Sequence, residues 1–351
     1  MADILVKGVE LKGLAVALPK YEVSNLDFPF LEKMEKEMIV KSVGIDSRRI
    51  AGEHTTAADL CLAAADALLQ KIGWARDEIS VLILVTQTPD YLTPCTAAIL
   101  QDKLKLSRKC LAFDINLGCS GFPYGLATVS SFLQSIPGGK GLLLIGDKSS
   151  QMVSPSDKST AMLFSDAGSA AALENTGKQV EMIYDLNTDG SGWQSLMIPD
   201  GGSRNPATPQ SFKQVTLTKG IERSPLNLQM NGIDIFNFAA RQVSPSITNL
   251  LKKNGLSVSD IDFFFFHQAN KIINEHLRKV LKIEKEKAPS VLHLYGNASA
   301  ASIPVTIAAT SSGQLSNGTH RLLLSGFGVG LSWGNAILDV EHLLCLPVLE
   351  I

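Results

Sequence analysis

The chain has 351 residues, of which 45% are hydrophobic and 19% are charged, and its formal net charge is −2 at pH 7. This composition is that of a globular protein with a sizeable core, and it argues against partners such as nucleic acid or an anionic membrane surface. No apolar run is long enough to span a membrane, and the first residues carry scattered charges unlike those of a signal peptide. Because the five cysteines are odd in number and lack metal-ligand spacing, we expect reduced thiols in a cytoplasmic protein, without a metal or a cofactor.

A helix, a glycine and a buried strand follow one another twice along the chain. Residues 57–72 have the Ala- and Leu-rich pattern of a helix, Gly73 is suited to end it, and the apolar run at 81–85 indicates a strand buried on both faces. Residues 238–266 repeat this order with a helix, Gly255 and a run of four phenylalanines. Further matched segments downstream, in the same order, favour a duplicated chain.

Helices that alternate with buried strands predict βαβ units and parallel sheets, here in a layered α/β protein with two pseudo-symmetric halves. We place the halves at residues 1–176 and 177–351. Residues 187–220 break the pattern because they are rich in Gly, Pro, Ser and Asn. They are predicted to be an irregular insertion that links the halves near the mouth of the site.

The first candidate functional residue is Cys119, which lies between glycines where a strand at 110–116 turns into a helix that begins near Ser120. Ligands of such folds bind beyond the carboxyl ends of the strands. The helix N-terminus is expected to lower the pKa of the thiol and to favour the nucleophilic thiolate. The alternative is an inert buried cysteine.

Two more candidates occupy corresponding turns. His267 follows the phenylalanine strand, and Asn297 holds the position in the second half that Cys119 holds in the first. Each has a structural alternative, a core histidine bonded to a carbonyl and an asparagine that caps a turn. Together the three favour acyl transfer through a thioester on the cysteine. Papain-like proteases use the same residue types, but the duplicated α/β layout argues against them.

These residues and their surroundings resemble the β-ketoacyl-[acyl-carrier-protein] synthase III family of thiolase-fold condensing enzymes. The similar stretches are GCSGFPYGL around Cys119, LFSDAGSAAAL at 163–173, HQAN at 267–270, GNASAASIP at 296–304 and GFGVGLSWG at 326–334. The resemblance implies a thiolase-like fold in which the two halves form five layers, αβαβα.

The resemblance also implies a mechanism. Cys119 would take an acyl group from a thioester, and His267 and Asn297 would bind a malonyl thioester and stabilise the enolate that forms when carbon dioxide leaves. The oxyanion of the acyl-cysteine would be held by backbone amides of Cys119, Gly328 and Val329. The product would be a 3-oxoacyl thioester in fatty-acid or related acyl-chain biosynthesis, with coenzyme A or acyl-carrier-protein thioesters as substrates and a homodimer as the working form.

Substrate-binding residues follow from the same resemblance, and here the chain departs from the family pattern. The residues assigned to substrate binding are Thr93, Lys158, Gln268 and Asn270. Met38 and Ser42 stand where the family has a tryptophan and an arginine that contact coenzyme A, Lys158 replaces an arginine, and Ile272 replaces a carrier-docking arginine. Candidates for a basic docking patch are Arg48, Arg49, Lys271, Arg278 and Lys279. These departures point to a carrier-bound, longer or branched primer, with a roomier acyl pocket at Thr93.

Alternatives from other classes stay open at this point. One is an acyltransferase that uses the same acyl-cysteine without decarboxylative condensation, and a variant of the condensing reaction joins two acyl chains head to head. Another is a non-catalytic partner subunit, against which the retained Cys119 argues.

Overall fold

The computed structural model describes residues 2–351, and most of its strands form two large mixed sheets, while β3–β4, β10–β13 and β11–β12 form separate two-stranded pairs. The strands are, in chain order, β1 (Ala2–Lys7), β2 (Val9–Leu18), β3 (Glu22–Ser24), β4 (Ser47–Arg49), β5 (Ile79–Val85), β6 (Leu111–Ile115), β7 (Lys140–Lys148), β8 (Asp166–Asn175), β9 (Glu181–Thr188), β10 (Leu196–Met197), β11 (Val215–Thr218), β12 (Ile221–Arg223), β13 (Gln229–Met230), β14 (Phe263–Phe266), β15 (Thr319–Gly328), β16 (Ser332–Glu341), β17 (Leu344–Cys345) and β18 (Leu349–Glu350). The first sheet has the order β17-β2-β8-β7-β5-β6, with β18 also on β2, and the second has the order β1-β9-β16-β15-β14.

Helices cover both faces of both sheets. They are, in chain order, α1 (Lys33–Val43), α2 (Ala57–Ile72), α3 (Thr96–Lys103), α4 (Gly121–Gln134), α5 (Gly232–Phe238), α6 (Ser244–Lys253), α7 (Lys271–Val280), α8 (Leu292–Tyr295), α9 (Ser302–Thr310) and α10 (Ser312–Leu315), with a π-helical turn at Ala239–Val243 before α6. As predicted, α2 ends at Gly73, whose φ of 75° is a left-handed cap. Among residues 2–351, no helix combines the length and the apolar composition that crossing a membrane requires.

The apolar core confirms five layers. Helices α2 and α3 pack on the outer face of the first sheet, and α5, α6 and α7 pack on the outer face of the second. Helices α4 and α9 lie between the two sheets, where their buried residues join one cluster with residues of both. This is the predicted thiolase-like αβαβα arrangement, and its central helices begin where the candidate residues lie.

The prediction of parallel sheets is wrong, because both sheets are mixed. The βαβ units are present, since β5 is parallel to β6 and β7, and β14 is parallel to β15. However, β15 and β16 are joined by only residues 329–331, and so short a loop can join only antiparallel neighbours. Strand β8 likewise runs antiparallel to β7 and β2.

The two ends of the chain are exchanged between the sheets. Strand β1 pairs with β9 in the second sheet, whereas β17 and β18 pair with β2 in the first. The predicted boundary after residue 176 falls between β8 and β9. Residues 187–220 comprise the last two residues of β9, short 3-10 turns, the two-residue β10, and strand β11 with the turn that leads to β12. Lys219 in this turn forms an ion pair with Glu35 of α1.

Candidate active site

Cys119 lies at the N-terminus of the central helix α4, where Ser120 is the N-cap residue. Only 6% of its surface is exposed, and this burial raises the pKa of the thiol to about 12. The Ser299 hydroxyl and the backbone amides of Cys119 and Val329 oppose the rise but do not offset it. The expectation of a lowered thiol pKa is therefore wrong, because desolvation of the thiolate outweighs the hydrogen-bond donors around the sulfur.

Glycines let α4 approach the first sheet closely. A Cβ on Gly121 would lie 2.5 Å from Cγ1 of Val85, and one on Gly125 would lie 2.6 Å from Cδ1 of Leu143. Since a Cβ at either position would force a neighbouring side chain or the helix to shift, these glycines allow α4 to lie this close to the sheet and so contribute to the position of Cys119.

His267 directly follows β14, and its backbone amide donates to the Ser325 carbonyl at 2.8 Å. Its Nδ1 lies 3.1 Å from the Ser299 carbonyl and 2.8 Å from Oγ of Ser302. Complete burial lowers the pKa of the imidazole to about 3. His267 is therefore neutral throughout the physiological range, with one ring hydrogen.

Both the oxygen and the nitrogen of the Asn297 side-chain amide form hydrogen bonds with the backbone. Its Oδ1 accepts from the Ser299 backbone amide at 2.9 Å, and its Nδ2 donates to the Ala269 carbonyl at 3.3 Å. An amide nitrogen has two hydrogens, and the second has no acceptor among residues 2–351. Asn297 therefore supports the turn, as its structural alternative requires, and still keeps a donor for a ligand.

Ser299 contacts all three of the predicted residues. Its hydroxyl lies 4.0 Å from Sγ of Cys119, its carbonyl contacts His267, and its amide donates to Asn297. Its φ of 51° is in the left-handed region, which is uncommon for a residue other than glycine. Sequence reasoning missed Ser299, because a serine among small residues gives no signal of this backbone conformation.

The end of β15 and the first residue after it lie against the nucleophile. A Cβ on Gly328 would lie 2.7 Å from Cβ and 3.1 Å from Sγ of Cys119, so the Gly328 backbone lies directly against the thiol. The next amide, of Val329, interacts with the sulfur together with the amide of Cys119. Two backbone donors therefore lie beside the sulfur.

We expect Gly328→Ala to slow acylation of Cys119 by about tenfold or more, because the new methyl group displaces the thiol or the loop amides from reacting geometry. Intact-protein mass spectrometry after mixing with an acyl thioester measures the rate. Gly232→Ala, where an added Cβ meets open space, is the matched control. A Gly328→Ala protein that loads as fast as the wild type would show that this close approach is dispensable.

The predicted substrate-binding residues are placed differently from one another. Gln268 is buried, with Oε1 accepting from Ser290 and Nε2 donating to the Phe266 carbonyl, so this geometry favours support of a neighbouring loop over contact with substrate. Asn270 caps α7 by accepting from the Ile273 amide. Neither Thr93 nor Lys158 takes part in the contacts around Ser299. Thr93 lies on an exposed loop, and Lys158 lies beside the β11–β12 hairpin.

A cavity of about 1150 Å³ is lined by residues of α1 and α7, and some of the basic docking candidates lie in it. Lys271, Arg278 and Lys279 line this cavity, as do Ser42 and Ile272. By contrast, Arg48 is buried with Nε on Asn25, and Arg49 pairs with Glu350, so neither is free for a docking surface. Their proposed docking role is corrected to a structural one.

Comparison with known proteins gives matches over nearly the whole chain. Residues 113–190 match the family described as 3-oxoacyl-[acyl-carrier-protein] synthase III, and residues 251–340 match its C-terminal region. A β-ketoacyl-[acyl-carrier-protein] synthase III of Streptococcus mutans is 35% identical, covering 94% of this chain and 99% of the relative. A putative 3-oxoacyl-[acyl-carrier-protein] synthase 3 of Campylobacter jejuni is 33% identical over 95% of this chain and 94% of the relative.

Solved structures agree. The crystal structure of a 3-oxoacyl-(acyl-carrier protein) synthase from Burkholderia xenovorans superposes with a TM-score of 0.93 at 35% identity, covering 99% of both chains. The priming β-ketosynthase of the R1128 polyketide pathway shares the fold, with a TM-score of 0.83 at 24% identity over 96% of this chain and 97% of that one.

Proposed function

The chain belongs to the 3-oxoacyl-[acyl-carrier-protein] synthase III family, and we propose that its site performs decarboxylative condensation on an acyl group carried by Cys119, in fatty-acid or related acyl-chain biosynthesis. The observation that supports this proposal is that Cys119, His267 and Asn297 each contact a different polar group of Ser299, namely its hydroxyl, its carbonyl and its amide. A nucleophile and two neutral hydrogen-bond donors are what the reaction requires.

In the loading step, the Cys119 sulfur attacks the carbonyl carbon of an acyl thioester. The resulting oxyanion accepts hydrogen bonds from the amides of Cys119 and Val329. When the tetrahedral intermediate collapses, the bond to the donor sulfur breaks, and the donor leaves as a thiol with the proton that Cys119 gave up. The acyl group is then a thioester of Cys119.

In the condensation step, the carbonyl oxygen of a malonyl thioester accepts hydrogen bonds from His267 and Asn297. Carbon dioxide leaves, and its bonding electron pair forms the enolate that these donors stabilise. The enolate carbon attacks the acyl carbonyl, and the bond to Cys119 breaks. The 3-oxoacyl thioester departs, and the Cys119 thiolate takes up a proton.

Ser302 supports the donor role of His267. Its Oγ accepts from the Gln268 amide at 3.1 Å and contacts Nδ1 of His267 at 2.8 Å, and among residues 2–351 its hydroxyl hydrogen has no other acceptor. The Ser299 carbonyl, 3.1 Å from Nδ1, can only accept and therefore favours the opposite tautomer. When the Ser302 hydrogen is donated to Nδ1 instead, the single ring hydrogen of the neutral imidazole lies on Nε2, where it can reach an enolate oxygen.

We expect Ser302→Ala to slow condensation by about tenfold while loading is retained, because the tautomer with hydrogen on Nδ1 then bonds to the Ser299 carbonyl and leaves Nε2 without a donor. The measurement compares adduct formation with adduct clearance by a malonyl thioester. Thr306→Val, one helical turn later, removes a hydroxyl that bonds only to the Ser302 carbonyl and is the control. Equal loss in both steps would contradict a specific effect on His267.

The proposal is tested by incubating the protein with a panel of acyl-coenzyme A and acyl-carrier-protein thioesters and weighing the intact protein. Condensation predicts a covalent adduct that a malonyl thioester clears with release of carbon dioxide. Clearance to another acceptor without carbon dioxide would instead favour the acyltransferase. A protein that forms no adduct with any donor would favour the non-catalytic subunit.

Acyl-carrier protein is the partner we propose for at least one substrate, in the cytoplasm. Met38 is 66% exposed and Ser42 is neutral, so positions 38 and 42 offer coenzyme A neither the aromatic ring nor the guanidinium that the family has there. The cavity between α1 and α7 presents Lys41, Lys271 and Lys279, which suit an acidic carrier. The five cysteines, all free thiols, are consistent with a reducing compartment.

A homodimer is supported by the exposed edge of the first sheet. The edge strand β6 begins at Leu111, which is 42% exposed, and Phe113 packs edge-on against Phe132, which is 40% exposed. A second copy that covers this edge would bury both the unpaired backbone and the apolar side chains. The loop that carries Thr93 also exposes Leu92 completely, as expected if it contacts the other copy.

We expect Phe132→Asp to shift the protein from dimer to monomer, because a desolvated carboxylate would face the apolar edge. Analytical ultracentrifugation measures the mass. Leu26→Asp, at a residue of similar exposure beside β3, is expected to leave the mass unchanged. A wild-type protein that sediments as a monomer would contradict the proposal.

A further inference from the structure

Gln87 has a side-chain carboxamide that forms no hydrogen bond with residues 2–351, although the residue itself is held in place. Gln87 is the second residue after β5, and its backbone amide donates to Oδ1 of Asp147 at 2.7 Å. Its side chain is half-buried. A carboxamide offers an acceptor oxygen and two donor hydrogens, so this group is free to bond to a ligand.

The corresponding glutamine of the second half is used differently. Gln268 is likewise the second residue after a strand, β14, in the repeated pattern of the chain. Its carboxamide is satisfied within the fold, because Nε2 donates to the Phe266 carbonyl at 2.9 Å and Oε1 accepts from Ser290 at 2.7 Å. A glutamine at this position can therefore support the fold, but the carboxamide of Gln87 does not.

The Gln87 side chain lies against Gly118, the residue before the nucleophile. A Cβ on Gly118 would lie 2.6 Å from Cγ1 of Val329 and 3.0 Å from Cδ of Gln87. Apart from its chain neighbours, the three heavy atoms nearest to that position all belong to these two side chains. Since neighbouring Cα atoms are about 3.8 Å apart, the carboxamide lies about one residue away from Cys119.

Val329 connects the carboxamide to the surface that touches the sulfur. The Gly328 backbone lies against the Cys119 thiol, and Val329 follows directly, with its side chain beside that of Gln87 at Gly118. The Val329 side chain is apolar, so it offers the carboxamide no partner. The first atoms of an acyl group on Cys119 therefore lie beside a wall with one apolar side chain, Val329, and one polar side chain, Gln87.

We propose that Gln87 selects the acyl group that Cys119 carries, and that it favours a chain with a hydroxyl or oxo oxygen near C3 over a plain alkyl chain. The carboxamide can donate to either oxygen and can accept from a hydroxyl. An alkyl chain in the same place would exclude water from the carboxamide and leave it unpaired, which costs free energy. The inference rests on the proposed function of Cys119 as the acyl carrier.

Two thioesters of the same shape test this preference. The 3-hydroxybutyryl and 3-methylbutyryl groups, on the same donor, differ only by a hydroxyl in place of a methyl group. We expect the wild type to load the hydroxylated group about tenfold faster in competition, the ratio that one hydrogen bond provides, and we expect Gln87→Leu to lose this preference. Mass spectrometry of the Cys119 peptide distinguishes the two adducts.

Two further variants separate the hydrogen bond from the available space. Val329→Ala enlarges the same wall and leaves the carboxamide in place, so it should change both loading rates by a similar factor. Gln314→Leu, at an exposed glutamine of α10, controls for the substitution itself. A preference that persists in Gln87→Leu, or that Val329→Ala reduces equally, would overturn the proposal.

A reaction that needs no thioester tests the same contact. The 2-hydroxyethyl and n-propyl methanethiosulfonates also differ only by a hydroxyl in place of a methyl group. The Cys119 sulfur loses its proton to solvent and attacks the thiol-derived sulfur of the reagent, so a disulfide forms and methanesulfinate leaves with the electron pair of the broken bond. The hydroxyl then lies as many bonds from Sγ as the C3 oxygen of an acyl group. We expect Cys119 of the wild type to prefer the hydroxyethyl reagent, relative to Cys110 as the internal reference, and Gln87→Leu to lose this preference.

The two reactions distinguish the possible failures. If no thioester loads but Cys119 prefers the hydroxyethyl reagent only when Gln87 is present, the proposed function fails and the selection by Gln87 stands. If both thioesters load at equal rates, the proposed function stands and the selection fails. Equal rates of Cys119 with the two methanethiosulfonates, after correction by Cys110, would also overturn the selection.

Discussion

Cys119→Ser is expected to abolish acyl loading, with a fall of at least about 10³-fold in the rate of adduct formation. The serine hydroxyl fits the same space, but it ionises with far greater difficulty than the thiol and is a much weaker nucleophile in a buried site. His267, whose pKa is lowered to about 3, is too weak a base to activate it. Intact-protein mass spectrometry with the donor that loads the wild type fastest measures the loss.

The matched control is Cys110→Ser, at a half-buried cysteine just before β6. It should load as the wild type does, because it lies outside the contacts around Ser299. If Cys119→Ser gained the same acyl mass as the wild-type protein, another residue would carry the acyl group, and the mechanism above would fail.

Asn297→Asp is expected to reduce condensation by about 10² to 10³-fold while loading of Cys119 continues. The aspartate can still accept from the Ser299 amide, so the turn is preserved, but it has no hydrogen to offer the enolate. When ionised, it also repels the negative charge that develops. This variant tests the donor role more specifically than Asn297→Ala, which would also remove the hydrogen bond that supports the turn.

Carbon dioxide release and 3-oxoacyl product are the measured quantities, on protein that has already been loaded. Asn254→Ala, at the end of α6, serves as the control because this exposed amide bonds only to the helix carbonyl of Leu250. If Asn297→Asp released carbon dioxide at the wild-type rate, a donor role for Asn297 would be refuted. If loading fell equally, the residue would be supporting Cys119 and not the enolate.

The three candidate residues could be predicted because each occupies a turn with a local signature. Cys119 is flanked by glycines after a strand, His267 follows an apolar run, and Asn297 repeats the position of Cys119 in the second half. Strand ends at one edge of a layered α/β fold converge, so the pattern alone is enough to group them. Their detailed contacts could not be predicted in this way.

What could not be predicted depends on contacts between distant parts of the chain. The left-handed Ser299 has no signature of its own, because its significance comes from its contacts with Cys119, His267 and Asn297. The pKa of Cys119 is raised and not lowered for the same reason. A helix terminus is a local feature, whereas burial by Gly328 and the second sheet is set by the whole fold.

The mixed sheets show the same limit. Periodicity identifies a buried strand but not the direction of its neighbour, and only the short 329–331 connection reveals that β16 returns beside β15. The assignment of β1 to the second sheet is equally invisible, since Val9 begins β2 in the first sheet just after β1 ends.

The exchange of chain ends affects how the molecule is made. Leu349 pairs with Ala17 and Leu5 pairs with Ile183, so strands synthesised first wait for partners synthesised much later. Such pairings of high contact order slow folding, and they delay completion of the first sheet until β17 and β18 have left the ribosome. The sheet pairings therefore tie both halves into one cooperative unit that cannot mature half by half during translation.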